Sequence, residues 1–194
     1  MTTCFPRIVI VFSFLRRAIG TQDLPPSQIM IGLALFLTAA VMAPTWQKIY
    51  QEALTPYMEG KMAEEQAFEK AMGPLKDFML EKTLRKDLRL FVELSRHQEM
   101  QVQGTSATAE SVIDLPLKVI IPAFLISELK VSFQMGFVLY LPFLIIDLVV
   151  STTLISMGML VLPPFMISFP LKVLVFVLVD GWNLIVEQLV KSFF

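Results

Sequence analysis

The sequence holds one cysteine, Cys4, and one histidine, His97. A single thiol forms no internal disulfide and no cysteine metal cluster. A single histidine excludes histidine-pair metal motifs of the HExxH kind. There is no glycine-rich phosphate loop. A nucleophile–histidine–acid triad would have to use His97, which sits in a charged segment far from the apolar parts and reads as an ordinary surface histidine. Charge is scarce too: 17% of residues are charged and the formal net charge is -1, which gives no reason to expect a nucleic-acid partner. These absences leave enzymatic chemistry, cofactors and metals without support.

What the sequence has is apolar surface. Its hydrophobic fraction is 55% and its mean hydropathy +0.67, high against the roughly 45–50% apolar content usual in soluble domains. Charge is concentrated between Lys48 and Asp114. The pattern predicts an all-α, multi-helix, membrane-associated protein in three parts. Residues 1–47 hold N-terminal apolar helices, 48–114 form a charged helical insert on the extracytoplasmic side, and 115–194 form apolar helical hairpins.

Ile8 to Leu15 is apolar but too short to span a bilayer, and no small-residue cleavage site follows it. It reads either as a short buried or interfacial helix ending at Arg16-Arg17, or as the tail of a longer membrane helix. Pro25-Pro26 breaks the chain, and Ser27 is a candidate N-cap. No charge falls between Asp23 and Lys48, so Gln28–Ala43 reaches spanning length. Its small residues, Gly32, Ala34, Ala39 and Ala40, allow close helix approach. In the insert, Phe68, Met72, Leu75 and Met79, then Leu84, Leu88, Phe91 and Val92, recur at helical spacing, a packing stripe on each of two helices. Gly73-Pro74 is expected to kink or separate them, and Gln103 to Ser111 reads as an exposed connection.

Beyond it, Pro122 and Pro142 are expected to distort any helix. Glu128 and Lys130 lie in apolar surroundings, where an isolated charge is costly. They sit either on a polar turn between two helices, or Glu128 forms an ion pair with Lys172 of a neighbouring subunit. Asp147 to Trp182 organises the chain. It carries no charge between Asp147 and Lys172, long enough to cross a bilayer core, which takes roughly 20 residues. Yet Met157-Gly158-Met159, Pro163-Pro164 and Pro170 interrupt it. The expected shape is two apolar helices meeting at an irregular loop, with Gly158, Pro163 and Pro164 as its structural residues. Irregular backbone at membrane depth persists only where protein or water covers it, so the loop should face other subunits or a pore. Asp147 reads as a pairing partner, a proton-relay acid or the polar end of a helix. Asp180-Gly181-Trp182 ends the second apolar run, and Trp182 to Phe194 is a short amphipathic tail with Glu187 and Lys191 at i,i+4 spacing.

PAFLISELKVSFQMGF (Pro122 to Phe137) and PLKVLVFVLVDGW (Pro170 to Trp182) closely resemble the two signature stretches of the FliP family. IIDLVV, SMGM, LPPFMIS, RIVIVFSFLRRAIGTQ and IGLALFLTAAVMAP fit as well, in order along the chain. The resemblance implies a helical, non-enzymatic subunit of the bacterial flagellar type III export apparatus, in the inner membrane at the flagellum basal body. It implies a homo-oligomer of about five copies in a ring or helical assembly, joined by FliQ-like and FliR-like subunits and by FlhA and FlhB, passing unfolded flagellar proteins. A virulence-type type III secretion subunit is the nearer alternative. A small ion-coupled transporter using Asp147 and Asp180 is the more distant one. The family's methionine-rich pore loop matches Met157 and the tripeptide Met159-Leu160-Val161, where family members often carry three methionines; the other reading of Met157 and Met159 is core filler. The resemblance further implies a signal peptide and another apolar segment ahead of RIVIVF.

Overall fold

The structure, a computed structural model, describes residues 2–20, 25–103, 115–159 and 162–194, and its regular elements there are all helices. In chain order they are α1 (Phe5–Ile19), α2 (Ser27–Ile49), a π-turn (Tyr50–Leu54), α3 (Thr55–Met58), α4 (Glu64–Lys82), α5 (Arg85–Gln103), α6 (Leu117–Ser156), α7 (Phe165–Leu178) and α8 (Gly181–Lys191). Among the described residues two helical runs are long and apolar enough to cross a membrane: Ser27–Met58, with 32 residues, and Leu117–Ser156, with 40. The α7–α8 pair, bent by 64°, is a further candidate if counted as one span.

Several prolines sit inside helices, including ones expected to distort or kink them. α2 runs through Pro44, and the helix continues through the π-turn to Met58. A π-turn inserts one residue into the helical ladder; here both the backbone N–H and the hydroxyl of Thr55 donate to the Tyr50 carbonyl, so that turn stays satisfied. α4 runs through Gly73-Pro74, and the break between the two insert helices falls at Thr83-Leu84 instead. α6 passes Pro122 and Pro142 without interruption, so Glu128 and Lys130 lie within one helix and not on a turn. Long apolar helices tolerate such prolines when local adjustment or neighbours re-satisfy the freed carbonyl. Pro170, expected to interrupt the apolar run, likewise lies inside α7.

The chain forms two compact units. The first takes in residues up to Cys4 and Ala39–Lys130. In it Phe78 of α4 packs on Phe124 of α6, with ring centroids 6.1 Å apart, and Met79, Ile120 and Ala123 are fully buried. The stripe expected on α4 is shifted: Phe78 and Met79 are buried while Phe68 is exposed.

The second unit takes in Phe5–Thr38 and Val131–Phe194. α1 buries Ile8, Val11, Phe12, Leu15, Ala18 and Ile19 at helical spacing. Phe12 meets Trp182 edge-on at 6.5 Å, and Trp182 meets Phe176 at 5.5 Å. Buried Arg7 donates to the carbonyl and hydroxyl of Ser192 at 3.1 and 2.9 Å and lies over the Phe193 ring at 4.0 Å, tying α1 to the end of α8. α1 crosses α6 where Gly136 meets Phe14; a Cβ on Gly136 would stand 2.4 Å from that ring.

Candidate functional site

The organising hairpin is built by local chemistry at both ends of its loop. α6 stops in a Schellman cap: Gly158 has φ +76°, its N–H reaches the Ile155 carbonyl at 3.0 Å, and the Met159 N–H reaches Leu154 at 3.0 Å. Glycine supplies that left-handed residue without a Cβ penalty. α7 starts from Pro163-Pro164, whose carbonyls accept from Met166, Ile167 and Ser168. Prolines suit a helix start because their φ is preset and they bring no N–H to satisfy. Gly158 thus caps α6, and Pro163 and Pro164 open α7. Of the candidate constriction residues, Met157 is 69% exposed and Met159 39% exposed, which rules out core filler in the single chain. Leu160 and Val161 lie outside the described residues. The flanking Leu162, Phe165 and Met166 are exposed as well.

One ion pair crosses the hairpin. Lys172 of α7, 4% exposed, donates to the Asp147 carboxylate of α6 at 2.5 Å. Asp147 thus lies inside α6, not at the polar end of a helix, and pairs with Lys172 of α7. Gly20, at φ +91°, ends α1 beside them; a Cβ there would lie 3.1 Å from the Phe165 ring and 3.8 Å from the Lys172 ammonium. Glu128 is fully buried on α6. Asp180 takes φ 51°, ψ 54° at the start of α8, a left-handed conformation that aspartate tolerates better than most residues. The glycine after it is needed for space: a Cβ on Gly181 would stand 2.3 Å from the Phe176 ring.

A second polar cluster escaped the sequence reading. Asp87 of α5 is buried; it accepts from Ser127 of α6 at 2.9 Å and from Lys130. The Leu84 N–H in turn donates to the Ser127 hydroxyl at 3.0 Å. Burial pushes the Asp87 carboxyl up, but the bonds from Lys130 and Ser127 and the charge of Lys130 outweigh it, leaving the carboxyl below its ordinary value. The available signal was that Asp87 falls on the apolar stripe between Leu84 and Leu88. His97 is exposed on α5, its ring nitrogen 2.8 Å from the Glu93 carbonyl oxygen. Among the described residues no group of three or more His, Cys, Asp or Glu is placed to hold a metal ion.

Spanning-length helices, an exposed apolar loop and a buried ion pair across its hairpin define a membrane-type all-helical protein. The FliP family model matches residues 1–189. The chain belongs to the FliP family and is a component of the flagellar export apparatus. It is 52% identical to the flagellar biosynthetic protein FliP of Bacillus subtilis (strain 168), over all of this chain and 83% of that protein. It is 51% identical to the Caulobacter vibrioides protein of the same name, over all of this chain and 69% of the relative. The Aquifex aeolicus counterpart is 45% identical over all of this chain and 78% of its own length.

Proposed function

We propose that this chain is a structural subunit of the pore through which the flagellar apparatus exports unfolded proteins, held in the bacterial inner membrane at the flagellum basal body. Copies of the chain, about five by family resemblance, surround the passage together with FliQ-like and FliR-like subunits, and FlhA and FlhB complete the gate. The loop carrying Met157, Met159, Leu160 and Val161 lines the narrowest point. The observation that carries this reading is the exposure of Met157, Met159, Leu162 and Met166 around a helix break that sequence and geometry both fix. Irregular backbone needs protein or water around it at membrane depth. Methionine is flexible and polarizable, so a ring of such side chains closes against ions and deforms around a passing chain.

The pairing of Glu128 with Lys172 of a neighbouring copy belongs to the same proposal. Lys172 carries three N–H donors and Asp147 accepts one. Glu128 and Lys172 are both buried in the lone chain, so this pair requires a rearrangement on assembly, and the oligomer is where it is tested. Glu128→Ala should then lower the yield of oligomer in gentle detergent; an unaltered yield removes the inter-subunit pair. The reading as a whole is tested by gentle purification with the neighbouring gene products and native mass measurement. A multimer containing several copies is expected, and a lone monomer with the hairpin in detergent would overturn it.

A further inference from the structure

Within the second unit, α1 and the start of α2 line a half-open pocket of about 320 Å³. Its polar end is made by Ser13, Arg16, Arg17 and Ser27, and its apolar wall includes Phe12 and Ile31. That volume is at the low end of ligand pockets, roughly 300–1,000 Å³, enough for a headgroup but not a whole lipid. No acidic side chain lines it among the described residues.

The guanidinium of Arg16 is fixed by its own chain. Nη1 donates to the Ser27 hydroxyl at 3.0 Å and Nη2 to the Pro25 carbonyl at 2.8 Å. Its Nε is buried and has no hydrogen-bond partner among the described residues. A guanidinium has five N–H donors, and a buried donor left unused is costly, so among the described residues this corner is short of acceptors. Arg17 beside it is exposed. The cavity also faces the positive end of α2, whose first backbone bonds come from Ile29 and Met30. Ser27 opens the first run of spanning length, so the cationic corner stands where the apolar surface begins. Ile31 and Leu35, one helical turn apart on α2 and both exposed, lead apolar surface away from it.

We infer that this cavity binds an anionic phospholipid, its phosphate held by Arg16, Arg17 and Ser27 and one acyl chain lying along Ile31 and Leu35. Arginine pairs with phosphate through charge-assisted, often bidentate bonds. The inference rests on the spanning character of α2 and not on the pore reading, so neither stands or falls with the other.

The test uses the full chain, with whatever subunits co-purify, exchanged into mild detergent. It is loaded separately with phosphatidylglycerol, phosphatidylcholine or inorganic phosphate, and bound adducts are followed by native mass spectrometry. Phosphatidylglycerol should stay bound under activation that strips phosphatidylcholine. Arg17→Gln, which leaves both Arg16 hydrogen bonds in place, should cut retained phosphatidylglycerol about tenfold, the loss of one charge-assisted contact, with the thermal midpoint unchanged. Arg16→Gln should cut it further. Equal retention of the two lipids, or no change in Arg17→Gln, would overturn the site. Displacement of phosphatidylglycerol by equimolar inorganic phosphate would overturn the lipid assignment in favour of a soluble phosphate.

Discussion

Asp87 carries a buried charge outside the apolar hairpin. It stands buried on α5, held by Ser127 and Lys130 of α6. Its carboxyl lies below the ordinary aspartate value, so the folded chain favours the ionised form. The sign follows: this contribution is fully present above the unfolded value, about 3.9, and is lost as pH falls through the folded one. Asp87→Asn should therefore lower stability at pH 7 by about 1–3 kcal/mol, the range for a hydrogen-bonded charge. The gap to the parent should close as pH drops below about 4. Thermal unfolding in detergent across pH measures both; a gap independent of pH would remove the role of ionisation. Some residue roles were legible in the sequence and others were not. Gly158, Pro163 and Pro164 were, because glycine and proline act on their own backbone. The partner of Lys172 was not. It lies 25 residues away across a hairpin, and which acid faces it depends on how far each helix runs, something no local pattern states.

At the scale of helices, α1 is fastened to the second unit by close approach as well as by its apolar stripe. Gly136 lets α6 meet the Phe14 ring, which also packs edge-on against Phe133 at 5.3 Å. Gly136→Ala places a Cβ 2.4 Å from that ring, and overpacking of this kind costs about 1–3 kcal/mol. The expected result is a lower thermal midpoint, partly restored by adding Phe14→Ala; a single variant as stable as the parent would show that the two helices do not meet there. Periodicity announced most of the elements. The two insert helices and the amphipathic α8 follow from it, and Lys191 meets Glu187 at 2.5 Å as spacing predicts, whereas α1 was read from its apolar run and not from a stripe. The lengths of α2 and α6 did not follow. Reading Pro122 and Pro142 as distorting assigns each its cost in an isolated helix. A long apolar helix absorbs that cost, because unravelling beside the proline would leave further backbone groups bare in an apolar setting.

For the whole molecule the question is what covers its bare apolar surface. Phe36 is 78% exposed in the lone chain, and Phe137, Val138, Ile145 and Leu148 are exposed along α6. Lipid, copies of the chain or partner subunits can each cover such faces, but a pore subunit and an ion-coupled transporter differ in what Met157 and Asp147 must do. In the pore reading the methionines seal the passage between export events. Met157→Ala with Met159→Ala should leave the complex assembled and raise the ion permeability of the cell membrane, read as faster collapse of the membrane potential. Unchanged permeability in a correctly assembled complex would end the sealing role. In the transporter reading Asp147 carries protons, and Asp147→Asn should abolish coupling while the fold persists. The geometry favours a different outcome. Lys172 is almost wholly buried and donates to Asp147, so neutralising the acid strands a buried cation, which is commonly worth about 3–5 kcal/mol when one partner of a buried pair is removed. Asp147 itself is 40% exposed at its side chain, so water relieves part of that cost and the lower end applies. Asp147→Asn should thus reduce the amount of assembled complex, and Asp147→Asn combined with Lys172→Met should recover it, since the pair is then replaced by neutral groups. Recovery of assembly together with export would make the pair structural. Assembly restored without export would return Asp147 to a direct part in transport.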